Sequence, residues 1–154
     1  MKIETTILKI LLQNEDYARK VLPFLNDKYF IENSDKIVYN QINNFILKYN
    51  SLPNKEALNI ELSEAKITEE DFKESINLIN EIGKDDQEFS DLSWLLDSTE
   101  KFCQDKAIYN AVVESISILD NPKSTTDKGA IPDILSDALS VSFDPHVGHD
   151  YIDD

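Results

Sequence analysis

The sequence predicts an all-α fold: a small globular helical head followed by a protruding antiparallel helical hairpin. Three observations carry that expectation. No alternation of apolar and polar residues persists long enough to make a strand. Apolar residues recur at steps of three, four and seven, the spacing of amphipathic helices. One stretch, Asp91 to Leu119, runs 29 residues without a glycine or a proline.

Taken in order, Ile3, Ile7, Ile10 and Leu11 mark a first helix ending near Gln13. Asn14 can cap a second, with Tyr17, Ala18, Val21 and Leu22 on one face and Pro23 at its close. Asn26 to Asn33 reads as a polar turn whose Tyr29 and Phe30 anchor it to the head. Ser34 is a candidate cap for a third helix through Tyr49, striped by Val38, Ile42, Phe45, Ile46 and Tyr49. Asn50 suits a left-handed terminator. Asn54 can cap a fourth helix with Ala57, Leu58 and Leu62. Thr68 and Asp71 match a capping pattern ahead of a fifth, with Phe72, Ile76, Ile79 and Ile82 inward and Gly83 at its end.

Residues 84–90 form an acidic connector between a head at 1–83 and a hairpin at 91–143. The long run carries two adjacent rows of apolar or small residues. One is Leu95, Thr99, Phe102, Tyr109, Val113 and Ile116; the other is Leu96, Cys103, Ala107, Ala111 and Ile118. As a helix it spans roughly 40 Å, against a radius of gyration of about 15 Å for a domain of this length. It is therefore expected to project. Partial cover follows from Ile131 to Phe143, where Pro132 and Asp133 suit a first helical turn. Ile131, Ile134, Leu135, Ala138 and Leu139 make that segment's apolar face. It is too short to cover the whole stripe, so the remainder needs the N-terminal part of the chain or another subunit. Residues 144–154 read as an exposed tail.

Charge narrows the function classes. Fifteen lysines and arginines face 30 aspartates and glutamates, a formal net charge of −15. Such a chain repels phosphate backbones, so no tight direct DNA binding is expected, and a basic partner is easier. The single cysteine, Cys103, excludes an internal disulfide and fits a reducing compartment. No signal peptide or run of ~20 apolar residues is present, so no membrane role is expected.

The chemistry of an enzyme is not legible. Three scattered glycines, Gly83, Gly129 and Gly148, make neither a Walker A loop nor a dinucleotide fingerprint. His146 and His149, with Asp144, Asp150, Asp153 and Asp154, are metal-ligand types, but they stand on a tail without a rigid scaffold. Cys103 has no neighbouring histidine, and Asp105 is expected to raise its pKa, so it reads as a packed thiol rather than a nucleophile. Glu100, Glu114 and Glu69-Glu70-Asp71 read as caps and solvated faces rather than acid–base pairs. Trp94, Phe102 and Tyr109 lack the interleaved cations of a base-stacking platform, and burial at a junction or subunit interface suits them better. No catalytic, cofactor-binding or metal residues are assigned.

Three stretches nevertheless resemble a known family. SLPNKEALN at Ser51 to Asn59, SWLLDSTEKF at Ser93 to Phe102 and GAIPDILSDALSVSFDPHVGHDYIDD from Gly129 onward resemble the N-terminal domain of DnaB-type replicative DNA helicases, most like that of tailed phages. The resemblance covers nearly the whole chain, and its pieces are specific in order and spacing rather than catalytic. It implies subunits paired through the hairpin, a dimer or a trimer of dimers forming a hexamer's collar. It also implies a docking surface for primase and, in some systems, the helicase loader, in the host bacterial cytoplasm. The pairing residues it implies are Leu95, Phe102, Tyr109, Val113, Ile116, Leu135 and Leu139. ATP and Mg belong to the RecA-like domain of such helicases, which carries the Walker motifs. The chain stops before that domain, as an excised domain or a short natural product, and alone is expected neither to hydrolyse ATP nor to unwind DNA. Two rival readings stand beside this one: a free-standing acidic adaptor for a basic replication protein, and a small metal-dependent enzyme using the His146/His149 tail.

Overall fold

The computed structural model describes residues 2–84, 91–121 and 127–142. These form seven α-helices with no strand among the described residues. Residues 85–90, most of the expected connector, and the expected tail with its histidines lie outside them. The chain divides into two units, Met1–Leu96 and Asp97–Asp154.

The first unit holds α1 (Ile3–Gln13), α2 (Glu15–Val21), α3 (Asn33–Tyr49), α4 (Lys55–Ser63) and α5 (Glu69–Ile82). α3 packs on α5, and both pack on α1; α4 lies against α3 and α5, and α2 against α1. α1 is more enclosed than its one-sided spacing implies. Ile7, Leu8, Ile10 and Leu11 are buried, and so is Lys9 between them. A helix surrounded on most sides is central to its core. Tyr17, Val21, Val38, Ile42, Leu58, Leu62 and Ile79 complete that core, each side chain contributing about 1.5–3 kcal/mol on burial.

Three expected caps are in place. Asn14 Oδ1 accepts from the Tyr17 N–H at 2.9 Å, Asn54 Oδ1 from Ala57 at 2.7 Å and Thr68 Oγ1 from Asp71 at 3.1 Å. Ser34 does not cap α3. The helix begins one residue earlier, and the Lys36 N–H bonds the Glu32 carbonyl at 3.1 Å to close the first turn. Asn50 ends α3 at φ 55° and ψ 33°, the left-handed terminator the sequence implies. Gly83 ends α5 for another reason. Its φ is −81°, but a Cβ there would stand 2.9 Å from the Ile79 carbonyl oxygen and 3.0 Å from Lys55 Cβ. Close approach of α4, not backbone handedness, requires the glycine.

Phe30 anchors the segment before α3. It is buried, with its ring centroid 5.4 Å from that of Tyr39. The Tyr39 hydroxyl donates to the Leu25 carbonyl at 3.0 Å. Tyr29 is half-buried. On α5 the inward face is Ser75, Leu78, Ile79 and Ile82. Phe72 and Ile76, expected on it, sit at its edge, half-buried.

α6 (Leu92–Asp120) is a single 29-residue helix, its start capped by Asp91 Oδ1 accepting from the Trp94 N–H at 3.1 Å. α7 (Ile131–Leu139) has Pro132 in its first turn and stops four residues short of the expected Phe143. The Ser140 hydroxyl donates to the Asp137 carbonyl at 2.7 Å, and the next residue leaves the helix. Gln104 Nε2 donates to the Val141 carbonyl at 3.0 Å. The residue just past α7 therefore lies beside the middle of α6. No described helix is long and apolar enough to cross a membrane.

Two stability outcomes follow from these contacts. Asn54→Ala is expected to cost about 1 kcal/mol through the lost cap, and Gly83→Ala about 1–3 kcal/mol through the clash with α4, both read by urea unfolding. Asp35 supplies a pH dependence. Burial pushes its carboxyl above 3.8, Lys2 opposes the rise, and Glu4 and Glu32 add to it. The folded chain thus holds this proton more tightly than the unfolded chain. The associated stability is full below the unfolded value and is lost as pH rises through the folded one. Asp35→Asn, which cannot titrate, is expected to compare better with the parent at pH 7 than at pH 3; a constant difference across that range would contradict it.

Candidate assembly surface

The C-terminal half of α6 carries apolar side chains on opposite sides. At about 100° per residue, Cys103, Ala107, Ala111, Ser115 and Ile118 share one side and Tyr109, Val112, Val113 and Ile116 the other. The first set is buried. It is mostly small, so a neighbouring segment can approach the helix closely. The second set, with Ile108 and Leu119, is exposed: Ile108 37%, Tyr109 63%, Val112 43%, Val113 47%, Ile116 51% and Leu119 55%. Six large apolar side chains within three turns of one helix make a contiguous strip, unlike singly scattered exposed residues.

The residues expected to pair subunits fall into two groups. Leu95, in the first unit, is 3% exposed, and Phe102 is 7% exposed, so each presents little surface to a neighbour. Tyr109, Val113 and Ile116 are outward, as is Leu139 on α7 at 71%; Leu135 is half-buried. Ile108, Val112 and Leu119 were missed by the two-row reading. Their own spacing of four and seven was the available signal. It was masked because the long helix is apolar around so much of its circumference.

The flanking charges are sparse. Lys101 Nζ lies 3.3 Å from Asp105 Oδ2 on the exposed surface, a contact of about 0.3–0.5 kcal/mol at most. Lys106 Nζ stands 5.9 Å from the Phe102 ring centroid. Past Lys106 the helix has no cation, and Glu114 and Asp120 are its charges.

Among the described residues, Cys103 and a cleft of the first unit show no reactive arrangement. Burial pushes the Cys103 thiol up to about 12, with the Glu100 carboxylate adding to the rise. The charged neighbour responsible is Glu100, one turn away, rather than the expected Asp105. A thiol so raised is neutral at physiological pH and is not a nucleophile. Among the described residues no group of three or more histidine, cysteine or acidic side chains could hold a metal ion. A cleft of about 710 Å³ in the first unit is lined by Lys36 and Lys66 but also by Asp27 and Asp71. Its charges offset one another, so nothing in it selects an ion.

What these features define is a helical protein whose most distinctive exposed feature is an apolar helix face. Its sequence agrees with a particular protein class. No protein-family model matches the chain. Over 96% of its length, however, it is 36% identical to the DnaB-like replicative helicase of Enterobacteria phage T4. The match lies in the N-terminal 32% of that helicase, so the chain spans about a third of its relative's length. By sequence, the chain is a relative of the N-terminal region of that DnaB-like replicative helicase, and its described residues are all-α.

The state of Cys103 is open to measurement. In the folded chain it is expected to react with a thiol reagent at pH 8 at least tenfold more slowly than in urea. Equal rates in the two conditions would mean the thiol is accessible.

Proposed function

We propose that the chain is the collar-forming, oligomerising region of a hexameric replicative DNA helicase. It pairs subunits through α6 and α7 and offers a docking surface for primase or a helicase loader. ATP and Mg²⁺ would be handled by the ATPase part of the full-length protein, and this region would supply order and spacing rather than catalysis. The similarity to a DnaB-like replicative helicase supports the setting. The bond from Gln104 to Val141 supports the hairpin, since it brings the chain back alongside α6.

The observation that carries the reading is the exposed strip from Ile108 to Leu119. Its six side chains would remove roughly 500 Å² per copy from water, and a specific interface needs about 800 Å² per partner. Leu139 and the polar rim would supply the difference. The energy is expected to centre on Tyr109, the largest residue of the strip. The pairing set is then Tyr109, Val113 and Ile116 with Ile108, Val112 and Leu119, joined by Leu135 and Leu139 of α7. Leu95 and Phe102 would support the strip from within each copy.

Burial separates two kinds of variant. Tyr109→Asp and Val113→Asp place a charge on an exposed face. Each is expected to keep full helicity by circular dichroism while weakening self-association at least tenfold by light scattering. Phe102→Asp puts an unpaired charge where the side chain is buried, and it should lose several kcal/mol of stability. An unchanged mass for both Tyr109→Asp and Val113→Asp, at concentrations where the parent associates, would remove the strip from the interface.

A further inference from the structure

Thirty acids are spread over 154 residues, yet none falls between Asp35 and Glu56. That acid-free run is most of α3 and the turn after it, and it holds Lys36, Lys48 and Lys55. Asp35, Val38, Tyr39 and Ile42 are the buried residues of α3. On the opposite side of the helix Ile37, Asn40, Asn44 and Leu47 stand at steps of three and four, within about 80° of one another. Leu47 is 76% exposed; Asn44 is exposed, and Ile37 and Asn40 are half-buried. By the same geometry Lys36 and Asn43 border this row on one flank, and Gln41 and Lys48 on the other. Neither Lys36 nor Lys48 makes an ion pair among the described residues.

The spacing is that of a seam between two helices, and Lys36 and Lys48 hold the flanking positions whose charges choose a partner. Ile37 and Leu47 put apolar surface at the two ends of the row, with Asn40 and Asn44 between them. The N-terminal half of the row also helps line the cleft of about 710 Å³, together with Lys66 and Ile67. The acids of that cleft, Asp27 and Asp71, come from other segments, and Asp27 Oδ2 already accepts from Asn40 Nδ2 at 3.3 Å. A second copy docked by this same face brings no carboxylate to either flank. A nucleic-acid strand leaves Ile37 and Leu47 without apolar contact. The net charge of the whole chain favours a basic partner at range. Exposed charges are screened beyond about 8 Å at physiological salt, so what rests on α3 answers to the lysines of that face.

We infer that the outward face of α3 docks an amphipathic helix of another protein, one whose apolar seam is flanked by carboxylates. The seam residues of that helix rest on Ile37 and Leu47, and its carboxylates reach Lys36 and Lys48. The face belongs to the first unit, and the inference stands whether or not copies pair through the α6 strip.

The probe is a synthetic helix of about three heptads with leucine in its seam and glutamate on both flanks; the same helix with lysine flanks is its control. Each is titrated into the isotope-labelled chain and followed by amide NMR signals. The glutamate helix is expected to move the signals of Asn40, Asn44 and Leu47 saturably, and the lysine helix to leave these three in place whatever else it moves. Lys36→Glu combined with Lys48→Glu should weaken the glutamate helix at this face at least tenfold and let the lysine helix move the three signals. Leu47→Ala should weaken the glutamate helix several-fold with both lysines intact. All these residues are outward, so helicity by circular dichroism should be unchanged in every variant. Signals of Asn40, Asn44 and Leu47 that stay in place at about 1 mM glutamate helix overturn the inference. So does equal response to both helices, or a charge reversal without effect. An oligothymidylate strand that moves the same three signals as strongly assigns the face to nucleic acid instead. Light scattering on the same variants reads self-pairing separately, and its absence leaves the α3 result unaffected.

Discussion

One constraint shapes the second half of this chain. A 29-residue helix carries apolar side chains around much of its circumference in its last three turns, and contacts within one copy cover only one side. The covered side is built from Ala107, Ala111 and Ser115 and the uncovered one from Tyr109, Val112, Val113 and Ile116. Small residues permit close approach of a neighbouring segment within the copy. Large residues on the opposite side keep their apolar surface in water until something removes it. Sequestering that surface would be favourable at about 25 cal/mol per Å².

In the first unit the core closes around one helix. α1 lies among α2, α3 and α5, and its buried residues run without a gap from Ile7 to Leu11. Its helix ends are satisfied locally by Asn14, Asn54 and Thr68, each accepting from a first-turn N–H. Such a unit can tolerate exposed polar and acidic residues at low cost. The chain's large negative charge disfavours phosphate backbones and favours a basic partner over an acidic one.

Much of this was legible from residue order alone, and the misses share a cause. The caps at Asn14, Asn54 and Thr68 and the terminator at Asn50 were readable because each acts on a backbone group within a turn of itself. The start of α3 was misread because its first turn closes on a backbone bond from Lys36 to Glu32 and uses no side chain. Gly83 was correctly placed at a helix end, but its cause is the nearness of Lys55, which no local pattern reveals. Lys9 falls outside the stripe of Ile3, Ile7, Ile10 and Leu11 and is nonetheless buried, because α1 is surrounded rather than one-sided. In the candidate surface, Tyr109, Val113 and Ile116 were identifiable by spacing. That Leu95 and Phe102 of the same row are buried while these three are bare depends on which stretch of the helix other segments reach.

The sequence by itself determined the helices, their approximate ends and the presence of apolar surplus on the longest helix. These follow from short-range rules: 3.6-residue periodicity, capping chemistry and the exclusion of glycine and proline. Only the tertiary structure decided which apolar residues are covered and which face water, because burial is set by neighbours distant in the chain. It also decided that Cys103 is held neutral by burial and Glu100, and that α7 ends at Leu139. Periodicity states that a face exists; only packing states whether the molecule has already used it.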